Sequence, residues 1–413
     1  MTRVGTLGIA DGEGRRGARV DSRGVVTPDH LGWTLDWRIG ADDRWRTPQH
    51  ETAVRQTLLD DTPVVRTAMR VPGGDAVADV YGVPQGHGFV VVEVTNDSPA
   101  PFVVALVVRA ARAVAVTEST VIIDKRPGLL LPRVPSRWAV ATARSTDFEV
   151  CGGVAQEGPF PATRDRSGRV EAAFLLPVPH RVSVRAAIAS AGDGQLVDLK
   201  ALPSAAEVAR GWAAQLARGM RAELPDDRLM SALRAARAQV MLAGQDPRPS
   251  GVVFAALEDW GLDAEADAAW RRLPGRERRR ARSRPDRPPS LGELETLTAR
   301  AATPGGVGSV AAELLLCVRS LLAWEEPERA RGSGDEQIIL LSELPESWRG
   351  QPIEVHALPT RAGPLSYAVR WHGSRPALLW TAPPGVRICA PGLDAEWWSD
   401  DPQGETLLTG AAA

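Results

Sequence analysis

Three adjacent residues, Glu258, Asp259 and Trp260, set two carboxyl groups beside a flat aromatic ring in the stretch Ala-Leu-Glu-Asp-Trp-Gly. Paired carboxyls are the working parts of glycoside chemistry: one protonates the leaving group, the other acts as base or nucleophile, and one pKa must be raised. Helical spacing from Gly251 to Trp260, with Gly261 as a stop, puts both acids in a last turn. The helix dipole there disfavours anions and pushes a carboxyl pKa upward. An indole beside them can cover one pyranose face. These three are the candidate ligand-binding residues. The plainer reading beside them is a solvated helix end with Trp260 packed inward, the commoner fate of charged residues at helix ends. No catalytic residue is assigned, because no motif around a catalytic acid can be matched.

Thirteen Trp stand against two Tyr and six Phe. Trp33, Trp37, Trp371 and Trp380 fall in apolar strand patterns and are expected in cores. Trp397 and Trp398 cannot both face inward in a strand, so one of them is expected at the surface. The run Arg271–Arg287 holds nine Arg against Glu277 and Asp286, a net +7. It has no aromatic residue except Trp270 at its edge, so a base-stacking platform is missing, and no nucleic-acid partner is expected. The segment 271–289 reads as an Arg-rich, solvated loop or frayed helix.

Other motifs are set aside on physical grounds. Gly306-Val307-Gly308-Ser309-Val310-Ala311 has the glycine spacing of a dinucleotide site, yet Ala301–Pro304 before it is no strand. The six His are scattered, and His356 and His372, which flank C-terminal strands, do not make a metal site. No G-x-S-x-G and no Walker A sequence occurs. No cofactor and no metal are expected.

Cys151, Cys317 and Cys389 are three, odd in number and far apart, which fits a reducing compartment rather than a disulfide framework. Met1–Val20 lacks the apolar core of a signal peptide. The longest apolar run, Phe102–Val108, is too short to span a bilayer. A cytoplasmic protein with no membrane partner is therefore expected. The net charge of −2 gives no global field toward nucleic acid or anionic lipid. Of 49 basic residues only Lys125 and Lys200 are lysines, a skew expected of a GC-rich bacterial genome.

These residues need elements to hold them. Residues 1–29, rich in Gly and Arg, read as a flexible N-terminus. From 30 to 202 the pattern is almost all strand. Val65, Thr67, Met69 and Val71 alternate with polar or small neighbours, while Phe89–Val94 and Phe102–Val108 are apolar enough for burial on both faces. So many short strands predict a large antiparallel β-sandwich. The character changes at Ser204, where Ser204 and Glu207 form a capping-box pattern opening a linker helix within 203–224. Residues 225–326 carry helical periodicity and give five helices, six with the linker helix. A linker at 327–336 leads into strands over 337–413.

The stretch Gln337–Trp380 breaks into apolar runs of four to seven residues, Ile353–Leu358, Leu365–Trp371 and Ala377–Trp380 among them, separated by Pro, Gly and Ser. It resembles the small C-terminal β-domain that closes glycosidases and phosphorylases of the six-hairpin type. The resemblance implies an N-terminal β-supersandwich, a linker helix, an (α/α)6 toroid and that β-domain. Twelve toroid helices need roughly 190 residues, and residues 225–326 supply about half of that. The expected architecture is a multidomain β + α chain: a large antiparallel β-sandwich, a shortened α-helical (α/α) domain and a small C-terminal β-domain. The expected function is that of a non-catalytic glycosidase-like protein binding a saccharide or a protein partner. A divergent active glycoside hydrolase or phosphorylase is the alternative, and a ligand-free structural or regulatory scaffold the second.

Overall fold

The computed structural model describes residues 1–6, 17–29, 31–41, 44–85, 88–135, 137–142, 155–189, 197–281, 287–301, 308–325 and 336–409. Cys151 and most of the expected linker 327–336 lie outside the described residues. The chain divides into two compact units, Met1–Trp212 and Ala213–Ala413.

Alternation of apolar and polar residues builds the first unit as two nine-stranded antiparallel sheets. One runs Thr2–Val4, Ala18–Val20, Val26–Pro28, Thr34–Ala41, Phe102–Ala111, Val170–Val178, Arg137–Ala141, Gln156–Glu157, with Arg44–Arg46 paired beside Thr34–Ala41. The other runs Thr163–Arg164, Ala113–Thr117, Thr120–Ile123, Arg126–Leu130, Ser183–Ala189, Phe89–Asp97, Gly74–Val83, Val65–Val71, Val54–Leu58. The two most apolar runs, Phe89–Asp97 and Phe102–Ala111, take interior places, one in each sheet. Facing residues such as Trp37, Met69, Val92, Leu106 and Phe174 form one continuous core. The lead-in 1–29 departs from expectation: its described residues contribute three of these strands, with Val4, Ala18 and Val20 fully buried. Their apolar positions are too few for the sequence pattern to stand out.

The second sheet of this unit is covered on its outer face as well. Tyr81, Val83, Val91 and Ala187 pack there with Leu202, Ala205 and Ala209. The last two belong to α1 (Ala205–Leu216). Its capping box is formed: the Ser204 N–H donates to Glu207 at 2.8 Å, and the Glu207 N–H donates to the Ser204 hydroxyl at 3.3 Å. Arg185 donates to Glu93 at 3.0 Å and to the Leu202 carbonyl at 2.8 Å, which ties the chain ahead of the helix to the sheet.

The second unit contains α2 (Asp227–Ala243), α3 (Gly251–Asp259), α4 (Asp263–Arg272), α5 (Gly275–Ala281), α6 (Leu291–Ala301) and α7 (Gly308–Leu322). With α1 this makes seven helices among the described residues, against five or six expected. The addition is α5, inside the Arg-rich run. Its neighbours explain the order there. Arg272 donates to the Gly244 and Gln245 carbonyls at 2.9 and 3.0 Å, closing the end of α2. Arg278 donates to the Leu273 carbonyl at 3.2 Å and stacks over Trp270 at 5.0 Å. These arginines satisfy carbonyls at helix ends, so the segment is not simply a solvated loop.

Two sheets complete the unit. The five-stranded one runs Arg221–Glu223, Ile353–Thr360, Gly363–His372, Arg375–Thr381, Gln403–Leu407. The four-stranded one runs Ala323–Glu325, Glu336–Leu340, Val386–Ala390, Asp394–Ser399. In Gly363–His372 side chains alternate: Leu365, Tyr367 and Val369 are buried and Arg370 is exposed, but Trp371, expected in a core, is only half-buried at the strand's end. Two features go beyond the sequence reading. Residues 337–413 do not build these sheets alone, since strands from 221–223 and 323–325 form an edge of each. And Glu336–Leu340 pairs in parallel with Val386–Ala390, a pairing that the succession of short strands does not foretell.

An ion cluster pins α7 to the strands after it. Arg319, only 5% exposed, pairs with Glu325 and donates to the Ala323 carbonyl at 2.7 Å. Glu325 also accepts from the Arg361 N–H at 3.1 Å. Burial alone would raise the Glu325 carboxyl, but the Arg319 charge and hydrogen bond, helped by Arg361, outweigh it and hold the group below the ordinary carboxylate range.

Candidate functional site

The end of α3 is built by a specific stop. Gly261 takes the left-handed conformation, φ 66°. Its N–H donates to the Glu258 carbonyl at 3.0 Å, and the Leu262 N–H reaches back to the Leu257 carbonyl at 2.9 Å. These are the two bonds of a Schellman motif. The motif fixes Glu258, Asp259 and Trp260 in different surroundings. Glu258 is exposed and lies outside the cleft described below. Trp260 is 1% exposed, donates its indole N–H to the Leu315 carbonyl of α7 at 2.9 Å, and lies under the Arg237 guanidinium at 5.2 Å. Its ring offers no face to a sugar. The expected stacking surface is a packing anchor, because an indole with an apolar body and one donor is best satisfied between two helices. Arg237 is itself buried, and desolvation lowers its pKa to about 10.

Asp259 is 3% exposed and lines a cleft of about 780 Å³ between α3, α6 and α7. Ala255, Leu297, Leu316, Pro288 and Pro289 give it apolar walls. Its polar groups come from one face of each helix. Glu293, Thr296, Leu297 and Arg300 recur on α6 at intervals of three and four, and Glu313, Leu316, Cys317 and Ser320 do so on α7. Two ion pairs stand in it, Arg287–Glu293 at 2.9 Å and Arg300–Glu313 at 3.7 Å. Glu293 also closes a capping box with Ser290, whose N–H donates to it at 2.8 Å. That backbone hydrogen bond first, then Arg287, holds its carboxyl below the usual range. Glu293 is thus kept as an anion, which suits an acceptor and not a proton donor. Burial pushes the Cys317 thiol up to about 11, so it is a weak nucleophile at neutral pH.

Of the three predicted residues the cleft receives Asp259 alone. Sequence reasoning missed Glu293, Arg300, Glu313 and Ser320 as a group. Their spacing at intervals of three and four was the available signal, but nothing in the sequence says that α6 and α7 face each other. Among the described residues no aromatic side chain lines the cleft. Among the described residues no group of three or more His, Cys, Asp or Glu could hold a metal ion. Nor is any helix among them long and apolar enough to cross a membrane.

No family model matches the chain, and no curated protein matches it. Among solved structures, a family GH92 α-mannosidase from Bacteroides thetaiotaomicron is similar at 12% identity over 55% of this chain, with a TM-score of 0.19. The match spans 37% of that enzyme's length. A likeness at that level carries no argument about what this chain does.

Proposed function

We propose that this chain is a non-catalytic binding protein whose ligand, a short saccharide, lies in the helical cleft against Asp259. The observation that carries the reading is the buried Asp259 carboxylate in a cleft of about 780 Å³ flanked by two arginine–carboxylate pairs. That volume is typical of small-ligand sites. Planar carboxylates and guanidinium groups are suited to vicinal hydroxyls, because each offers two acceptors or two donors in one plane. The apolar walls suit the C–H faces of a sugar ring.

A hydrolytic reading rests on the three carboxyls in one cleft. It is weakened by the pairing of Glu293 and Glu313 with arginines, and by the depressed pKa of Glu293. Catalysis needs one carboxyl to hold a proton.

The test is a thermal-shift series with mono- to trisaccharides of glucose, mannose and galactose on the full chain. At least one should raise the melting temperature. Leu297→Trp, which fills the cleft, should abolish the shift while the unliganded protein melts normally. Absence of any shift across the series, or a shift that survives Leu297→Trp, would overturn the proposal.

A further inference from the structure

The strand Asp394–Ser399 forms one edge of the four-stranded sheet, and its two tryptophans part company. Trp397 packs edge-on against Trp380, ring centroids 5.2 Å apart. Trp398 is 56% exposed. Exposed tryptophan is uncommon enough to need a reason, since its large apolar area is ordinarily buried. This one is held rather than loose. The Arg387 guanidinium sits 4.5 Å from its ring centroid, and Asp400 holds that guanidinium with two hydrogen bonds of 2.8 and 3.0 Å. A cation over the ring orients the indole, and the side chain nonetheless stays 56% exposed.

Pairing places the surrounding groups on the same side of the sheet. Cys389 lies opposite Trp398, and Gln337 opposite Arg387. The Gln337 amide approaches the Cys389 sulfur at 3.2 Å. The alternate residues Ile338 and Ile388 are fully buried beneath. The outward face therefore presents one strongly exposed indole, with the half-buried Ile339 and Cys389 beside it and a guanidinium, an amide and the Asp400 carboxylate around it. Trp398 is the only large apolar side chain strongly exposed in this sheet among the described residues. A peptide or a second copy of the chain would need a wider apolar patch to bury. Polyanions are disfavoured, because the Arg387 charge is already paired with Asp400. A pyranose ring matches what is present: one apolar face the size of an indole, with hydroxyls at its edge for planar donors and acceptors.

We propose that the Trp398 face is an accessory binding surface for a neutral hexopyranose polymer, separate from the helical cleft and not dependent on it. Such an open platform buries little of the sugar and so binds weakly, one ring at a time.

Affinity electrophoresis of the full chain tests this, with amylopectin, mixed-linkage β-glucan and yeast mannan each cast in a native gel. At least one polymer should retard the protein. Trp398→Ala should lose the retardation, with affinity down at least about tenfold, and should melt as the parent does because the side chain is on the surface. Glu405→Gln, an exposed change outside both sites, should leave the retardation intact, and loss of retardation in Asp259→Asn would assign the effect to the cleft and overturn the proposal. Free mobility of the parent chain in all three gels, or equal retardation of Trp398→Ala, would overturn the proposal.

Discussion

Cys317 reports on the cleft residue by residue. It lies on α7 in the cleft wall, and burial raises its thiol pKa from 9.0 to about 11. Two pKa units cut the thiolate fraction about a hundredfold near pH 8. Alkylation by iodoacetamide, followed by peptide mass spectrometry, should therefore modify Cys317 about a hundredfold more slowly in the folded chain than in urea. A bound saccharide should slow it further. Equal rates folded and unfolded would show that the cleft wall is open. Trp260 shows the limit of sequence reasoning at this scale. Its position at the end of α3 was legible from helical spacing and from Gly261. Its direction was not, because the partner that takes its indole N–H, the Leu315 carbonyl, lies 55 residues away.

Among the elements, the Arg319–Glu325 cluster makes the sharpest claim. Removing one partner of a buried pair leaves the other charged and unsolvated, at a cost of about 3–5 kcal/mol. Glu325→Gln should lower stability by that order in urea unfolding, while the exposed change Glu405→Gln should leave it nearly unaltered. The pH dependence follows from the depressed pKa of Glu325. Its stabilising contribution is complete above the ordinary carboxylate value of 4.5 and is lost as pH falls through the lower folded value. The parent chain should lose stability steeply below pH 4.5, and Glu325→Gln should lose less over that window; parallel curves would refute the assignment. A smaller effect is expected at the start of α2, where Asp226 accepts from the Leu229 N–H at 2.8 Å. Asp226→Ala should cost about 1 kcal/mol in the same assay. Caps and strands of this kind were legible beforehand, because Ser204, Glu207, Gly261 and the alternation in 65–71 are local signals. The parallel pairing of Glu336–Leu340 with Val386–Ala390 was not, since partners 50 residues apart leave no local mark. Helix α5 was hidden for another reason: its Arg278 satisfies carbonyls at the end of α4, and charge composition alone reads as solvation.

In the second unit as a whole, the C-terminal sheets and the helices are one folding problem. Arg221–Glu223 and Ala323–Glu325 pair with strands from the last quarter of the chain. The Tyr367 hydroxyl donates to the Leu322 carbonyl at the end of α7 at 2.9 Å. Ending the chain at Gly332 would leave two short strands unpaired and Arg319 without its Pro359 acceptor. The truncated chain should elute from size exclusion as aggregate; a monomer with an unchanged melting temperature would refute this. Whether the cleft of that unit binds without reacting is the central claim. The most direct measurement is calorimetric titration of the parent chain and of Asp259→Asn with the saccharide that gives the largest thermal shift, followed by chromatography of the cell contents for cleaved or phosphorolysed sugar after incubation with phosphate. The account predicts saturable binding by the parent, at least about tenfold weaker binding by Asp259→Asn, and no product from either. Product from the parent that disappears in Asp259→Asn, or binding that Asp259→Asn leaves unchanged, would contradict it.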